Sequence, residues 1–194
     1  FYKKQFDNRT TSSFEKIEQE LHVVLAASID PDIILENFAR IIRNANFPQI
    51  WFDQFSDNRF FQLFLSMCER SQKTIDLFAE DKNLRDTFLS RESLVPLDHR
   101  NFSNLTIKDF QFRASVQLTA GIIKAESFAD LYTEFLNQRI SWLANDFVAD
   151  KNWKVDFFIA AMGSFGSSEL SFTSDIDLVF VVRSIQSYPD IQKD

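Results

Sequence analysis

Apolar side chains recur every three or four residues along most of the first 150 positions, the period of an amphipathic helix. Two stretches show it well, residues 13–28 and residues 31–44. The second begins at Asp30-Pro31, a pair that suits the N-cap and first turn of a helix. The same period predicts shorter helices, closely spaced and with few glycines between them, around residues 50–55, 60–68, 72–78 and 83–90.

Polar and turn-forming residues interrupt this pattern between 94 and 105, which makes that stretch the best internal boundary of the helical region. Thr106 can cap a long helix reaching about Lys124, and a second long helix is expected from Glu126 to Asp150. Residues 1–150 are therefore predicted to form a helical N-terminal region, with a possible sub-boundary at 94–105.

The period changes after residue 150. Residues 154–163 contain a run of apolar side chains that is typical of a strand covered on both faces, and residues 175–182 are predicted to form the second strand. Two strands do not make a stable sheet alone, so we expect a partner or a continuation beyond Asp194 to complete it. The fold class predicted is a mainly α helical bundle followed, over 151–194, by the first strands of an incomplete α/β domain. Since the chain also lacks an initiator Met, we interpret it as a fragment of a longer protein.

Composition narrows the function classes. The chain of 194 residues is 45% hydrophobic and carries 23 phenylalanines, which we assign to core packing. A net charge of −7 argues against a nucleic-acid groove but allows a nucleotide, whose phosphates backbone N–H groups and a metal can bind. No apolar run approaches a membrane span of about 20 residues. The single cysteine, Cys68, fits a reduced, cytoplasmic setting.

Two other polar features have simpler interpretations. With two histidines in the chain, a histidine metal site cannot be assembled, and His22 is expected on a helix surface. The run Asp98-His99-Arg100 could form a polar site, but loops commonly contain such residues.

The segment between the predicted strands carries the chemistry. Gly163 and Ser164 can bind phosphate oxygens, because glycine lets the backbone approach an anion closely. Asp175 and Asp177 are one residue apart, so on a strand they share a face and repel each other unless a cation lies between them. Carboxylate oxygens beside a phosphate suit Mg²⁺. Glu169 would orient a ligand or a backbone N–H. The alternative is two solvent-facing acids after a serine-rich turn.

These residues carry a family resemblance. The pattern Met162-Gly163-x-x-Gly166-x-x-Glu169-Leu170-x-Phe172-x-Ser174-Asp175-Ile176-Asp177-Leu178-x-Phe180 resembles the signature of the glutamine synthetase adenylyltransferase and adenylyl-removing family, within the polymerase-β-like nucleotidyltransferases. Fainter similarity covers residues 71–89, 113–119 and 127–150.

The resemblance implies metal-dependent nucleotidyl transfer. Gly163 and Ser164 would bind the phosphates of an ATP- or ADP-type nucleotide, while Asp175 and Asp177 would be the catalytic carboxylates that bind Mg²⁺ or Mn²⁺. Family members transfer AMP to a tyrosine of glutamine synthetase or remove it by phosphorolysis. Glutamine synthetase and a nucleotide are the implied partners, and nitrogen metabolism is the implied process. No nucleic acid or membrane is expected to take part.

The chain departs from the family pattern at several positions. The family usually has Lys, Gly and Arg where this chain has Ser164, Ser167 and Ser168. The superfamily also uses a third carboxylate on a later strand, and the later acids here, Asp190 and Asp194, lie in a polar tail. We therefore expect the fragment alone to be inactive. The alternative function is a catalytically inactive regulatory or nucleotide-sensing module with the same fold.

Overall fold

The computed structural model describes residues 6–152 and 156–183. The described chain forms two compact units. The first, here the helical unit, contains residues 6–96 and 106–123. The second, here the strand unit, contains residues 97–105, 124–152 and 156–183. Most described residues are helical and the strands come last, so the predicted fold class is confirmed.

The helical unit contains seven of the α-helices in the described residues and a 3₁₀ helix at Glu92–Leu94. The α-helices are α1 Asn8–Ala27, α2 Pro31–Asn44, α3 Pro48–Phe55, α4 Asn58–Arg70, α5 Gln72–Glu80, α6 Lys82–Leu89 and α7 Ile107–Thr119. Most begin at a polar cap: the Asp30 side chain accepts from the Ile33 N–H at 3.2 Å, and Ser71 caps α5. The capping preferences of Asp and Ser thus account for the closely spaced helix starts.

Phenylalanine fills the core of this unit. The largest side chains that are fully buried there are aromatic, and neighbouring rings lie 4.5–6.5 Å apart in edge-on, tilted and stacked arrangements. Phe64 is at the centre, completely buried. Its ring contacts those of Phe38, Trp51, Phe55, Phe78 and Phe88. The interpretation of the phenylalanines as core residues agrees with this packing.

Two helix ends differ from the sequence prediction. Helix α1 begins at Asn8, five residues early, because Asp7 accepts from the Thr10 N–H at 2.7 Å and Ser13 is buried against Asp53. Helix α7 ends at Thr119 rather than near Lys124. Gly121 there has a left-handed φ of 71°, and the Ile122 N–H donates to the Gln117 carbonyl at 2.8 Å, which closes the helix end.

The strand unit begins with a 3₁₀ helix, His99–Asn104, followed by the long helix α8, Ala125–Asp150. Strand β1 is Phe157–Met162, a single helical turn α9 is Gly163–Gly166, and strand β2 is Asp177–Val182. The strands pair antiparallel, Phe157 opposite Val182 and Met162 opposite Asp177. Residues 153–155 of the predicted first strand lie outside the described residues.

The stretch 94–105, predicted as a loop, contains the whole of the second 3₁₀ helix, and residues 97–105 group with the strand unit. Short 3₁₀ turns are common connectors, and their residue composition matches that of loops. The predicted domain boundary near residue 150 concerns the complete protein and stays a prediction. No helix among the described residues has the length and apolar character needed to cross a membrane.

Candidate active site

The end of β1 meets the start of β2 at Gly163. Met162 is the last residue of β1 and pairs with Asp177, the first residue of β2. Gly163 follows with a left-handed φ of 53°, which turns the chain across the end of the sheet. A Cβ atom added at Gly163 would lie 2.7 Å from Oδ2 of Asp177. The Asp177 carboxylate therefore lies directly over the glycine backbone, in space that any other residue would fill.

Asp175 is placed differently from the prediction. Strand β2 begins at Asp177, two residues later than predicted. Strand β1 ends at Met162, the partner of Asp177, so no residue of β1 remains to pair with Asp175. The prediction that Asp175 and Asp177 share one face of a strand is therefore wrong for Asp175, which lies outside β2. Both side chains are exposed at the same end of the sheet.

The one-turn helix α9 carries Gly163 and Ser164 and lies close to strand β1. A Cβ atom added at Gly166 would lie 2.6 Å from the backbone oxygen of Ala161. Phe165, which lies between Ser164 and Gly166 in the sequence, is only 2% exposed. Gly166 belongs to the motif at 162–180, but no role was predicted for it; the signal that could have found it is its rarity, as one of three glycines in the chain.

Hydrogen bonds order the serine-rich segment between α9 and β2. The Glu169 N–H donates to the Ser164 carbonyl at 2.8 Å, and the Ser167 hydroxyl donates to the Glu169 carboxylate at 2.9 Å. Further on, the Ser171 N–H donates to the Ser174 hydroxyl at 2.8 Å. Glu169 thus fixes the turn after Ser164, which is compatible with the expected orienting role.

Apolar anchors attach the same segment to the rest of the strand unit. Leu170 is 2% exposed, and the Phe172 ring lies 4.4 Å from that of Phe128 on helix α8. The segment is therefore anchored at Leu170 and at Phe172. Its anchoring explains how a stretch without regular secondary structure can carry Asp175 to the end of the sheet.

The site has an unbalanced charge. From Met162 to Leu178 the sequence contains Glu169, Asp175 and Asp177 and no Lys, Arg or His. None of these three carboxylates forms an ion pair within the described part of the chain. The described residues also contain no group of three or more His, Cys, Asp or Glu side chains that could hold a metal. A cation bound here would have two aspartates as its protein ligands, the hard oxygen donors that Mg²⁺ prefers.

A cleft of about 310 Å³ lies on the face of the sheet opposite to the Asp177 side chain. It runs between α8 and β1, and its lining includes Ala161, Phe165 and Leu178. Because neighbouring residues of a strand point to opposite faces, Leu178 faces this cleft and Asp177 faces away from it. The carboxylate and the cleft thus belong to different sides of the sheet.

Local ion pairs account for the other polar candidates. The Arg100 guanidinium donates to Asp98 and lowers the pKa of that carboxyl to about 2, while His99 Nδ1 lies 3.3 Å from Asp98 Oδ1. Asp98 also caps its 3₁₀ helix by accepting from the Arg100 N–H. His22 lies exposed on α1, 3.8 Å from Glu18. Both features are explained by helix-surface and capping contacts.

A comparison with known families decides the membership of the chain. The sequence profile described as glutamate-ammonia ligase adenylyltransferase matches residues 79–194, more than half of the chain. The chain belongs to this family. No curated protein and no solved structure matches the chain. Members of the family are adenylyltransferases, so the nucleotidyltransferase class predicted from the motif is confirmed in general. The match also extends upstream of the motif, through α8 and α7.

Proposed function

We propose that this chain carries the nucleotide-binding end of an enzyme that adds AMP to, or removes it from, a tyrosine of glutamine synthetase, which is the glutamate-ammonia ligase of the family name. The observation that carries the proposal is the position of the Asp177 carboxylate over the backbone of Gly163. A phosphate group at this turn and a cation at this carboxylate would be immediate neighbours. Family membership supplies the reaction class.

Asp175 and Asp177 are the residues that would hold Mg²⁺ or Mn²⁺. Their fit rests on the donor chemistry and on the absence of a basic side chain from Met162 to Leu178. When bound, such an ion neutralises phosphate charge and polarises the phosphoryl oxygens. The backbone of Gly163 and the Ser164 hydroxyl would bind the phosphates of ATP, or of ADP in the reverse direction.

In the forward direction, the tyrosine hydroxyl oxygen forms a bond to the α-phosphorus of ATP. The bond between the α-phosphorus and the bridging oxygen breaks, pyrophosphate leaves, and the phenolic proton is lost to solvent or a base. In the reverse direction, inorganic phosphate takes AMP from the tyrosine, giving ADP and free tyrosine. Positioning and charge neutralisation are the main requirements of such transfers.

The experiment is a titration of the full-length protein with ATP and Mg²⁺. We expect Asp177→Asn and Asp175→Asn each to weaken Mg²⁺-dependent ATP binding. Each should also abolish AMP transfer to purified glutamine synthetase, which is measured by mass spectrometry. Asp146→Asn is a suitable control, because Asp146 is exposed on α8 and belongs to no predicted site. Binding that is indifferent to both site substitutions would contradict the proposal.

The second candidate is an inactive module that binds a nucleotide without transferring AMP. It is favoured by the serines at 164, 167 and 168, where the family usually has Lys, Gly and Arg. The same titration separates the two functions. Asp177-dependent ATP binding without any modified tyrosine would assign the chain to the inactive module.

A further inference from the structure

We propose that Gly166 is a positioning residue, which sets the place of the phosphate-binding residues Gly163 and Ser164 relative to the Asp177 carboxylate. This inference rests on the function proposed above. Gly166 itself needs no side chain for chemistry. Its contribution is to let the turn that carries Gly163 and Ser164 lie directly against strand β1, which fixes where that turn meets Asp177.

The close approach is specific to Gly166. A Cβ atom there would lie 2.6 Å from the Ala161 carbonyl oxygen and 3.1 Å from the carbonyl carbon. Ordinary contact begins at 3.4 Å, so an alanine would displace the turn by about 0.8 Å. The obstacle is backbone of a paired strand, opposite Leu178, and cannot rotate away as a flexible side chain can.

The turn has little freedom to absorb this displacement elsewhere. Phe165, beside Gly166, is 2% exposed, so the turn is held from that side by packing. The Ser167 N–H donates to the Gly163 carbonyl at 3.1 Å, and the Glu169 N–H donates to the Ser164 carbonyl at 2.8 Å. A movement at Gly166 therefore reaches both phosphate-binding residues through hydrogen bonds.

The displacement also reaches the carboxylate. The space above Gly163 is so limited that a single added carbon would lie 2.7 Å from Asp177 Oδ2. A shift of the turn toward or away from β2 changes the distance between the phosphate-binding backbone and this oxygen. Misplacement of reacting groups by about 1 Å can lower a rate about 100-fold.

The first test uses the protein without ligand. In Gly166→Ala, we expect faster hydrogen exchange at the Ser167 and Glu169 amides, measured by NMR or mass spectrometry. Gly121→Ala is the control. Gly121 also ends a helix, but a Cβ there meets nothing within 4 Å, and the strain of an alanine at that position comes from its φ of 71°, which Gly166 does not share. Unchanged exchange at both amides in Gly166→Ala would overturn the positioning role.

The second test uses ATP and Mg²⁺ with the full-length protein. We expect Gly166→Ala to lower kcat/KM for AMP transfer about 100-fold and to weaken Mg²⁺-dependent ATP binding, while Gly121→Ala leaves both unchanged. A double-mutant cycle for ATP binding with Asp177→Asn separates positioning from general damage. Positioning predicts that Gly166→Ala has little further effect once Asp177 is neutral; an equal loss in both backgrounds would overturn it.

The outcomes distinguish this inference from the function on which it rests. If the unsubstituted protein shows no Asp177-dependent ATP binding, the proposed function fails, and the exchange measurement still decides whether Gly166 positions the turn. If that binding is present and Gly166→Ala behaves as Gly121→Ala does, the proposed function stands and the role of Gly166 fails.

Discussion

The two units of this chain use the same residue types in opposite ways. In the helical unit, Phe64 is completely buried among five aromatic rings. In the strand unit, Phe158 and Phe180 leave 61% and 63% of their surface exposed, although both belong to paired strands. The helical unit has thus completed its core, while the sheet presents apolar surface on both faces. The candidate site lies on the less completely packed element.

This difference shows how stability and chemistry are divided. The helical unit has a core filled by Phe side chains, so substitutions there are expected to act mainly on stability. The end of the two-stranded sheet depends on a few close contacts. The Asp177 carboxylate lies over Gly163, Gly166 lies against the Ala161 carbonyl, and serine hydroxyls bond backbone groups. We therefore expect substitutions in the two units to change different measured quantities.

The largest expected effect is loss of a core ring. Phe64→Ala should lower the free energy of unfolding by about 3–5 kcal/mol, since it leaves a cavity among rigid neighbours. Phe180→Ala, the matched substitution in the sheet, should cost far less because its ring is mostly exposed. Urea denaturation followed by circular dichroism measures both. Equal losses would mean that the sheet is packed as completely as the helices.

The next effect concerns a buried polar contact. Asn37 is 3% exposed, and its amide donates to the Cys68 carbonyl at 2.9 Å and to Gln72 Oε1 at 3.1 Å. Asn37→Ala should cost about 1–3 kcal/mol, because the buried Cys68 carbonyl loses a donor.

Ser174→Ala is its counterpart in the strand unit. It removes the acceptor of the Ser171 N–H at an exposed turn, where water can replace it. We expect a smaller loss of stability, measured in the same urea titration. A larger loss than that of Asn37→Ala would contradict the contrast between the units.

A smaller effect is expected at a helix cap. Asp30→Ala removes the acceptor of the Ile33 N–H and should lower the free energy of unfolding by about 1 kcal/mol. Asp30→Asn, which retains a capping oxygen, should recover most of the loss. Thermal unfolding of the three proteins provides the measurement, and equal melting temperatures for the Ala and Asn variants would contradict a capping role.

The smallest effect is on the pH dependence of stability. The Arg91 guanidinium, and then the N–H of Phe60, lower the pKa of Asp57 below its usual 3.8. A lowered folded-state pKa gives stability that is present above the unfolded-state pKa and is lost as the pH falls through the folded value. We expect the urea midpoint to fall as the pH is lowered from neutral to below 3.8, and to fall less in Asp57→Asn. An identical fall in both proteins would exclude Asp57 as a contributor.

Much of this architecture could be predicted from local chemistry. Asp30-Pro31 marked the start of α2 and Thr106 that of α7, because capping depends on residues close in sequence. The start of α1 was predicted too late, since its first turn is polar. Thr10 and Ser13 look like surface residues in the sequence, but both are buried. The Ser13 hydroxyl donates a hydrogen bond to Asp53, which lies 40 positions away in the sequence.

The sequence by itself determined the helical class, the strand pair, the motif at 162–180 and the reaction family, because each follows from residue type and short spacing. Only the tertiary structure decided that β2 begins at Asp177, that the Asp177 carboxylate lies over Gly163, and that Gly166 rests on the Ala161 carbonyl. The physical reason is that strand register and close backbone approach depend on the path of the segment 163–176 between the strands, which the local sequence pattern leaves open.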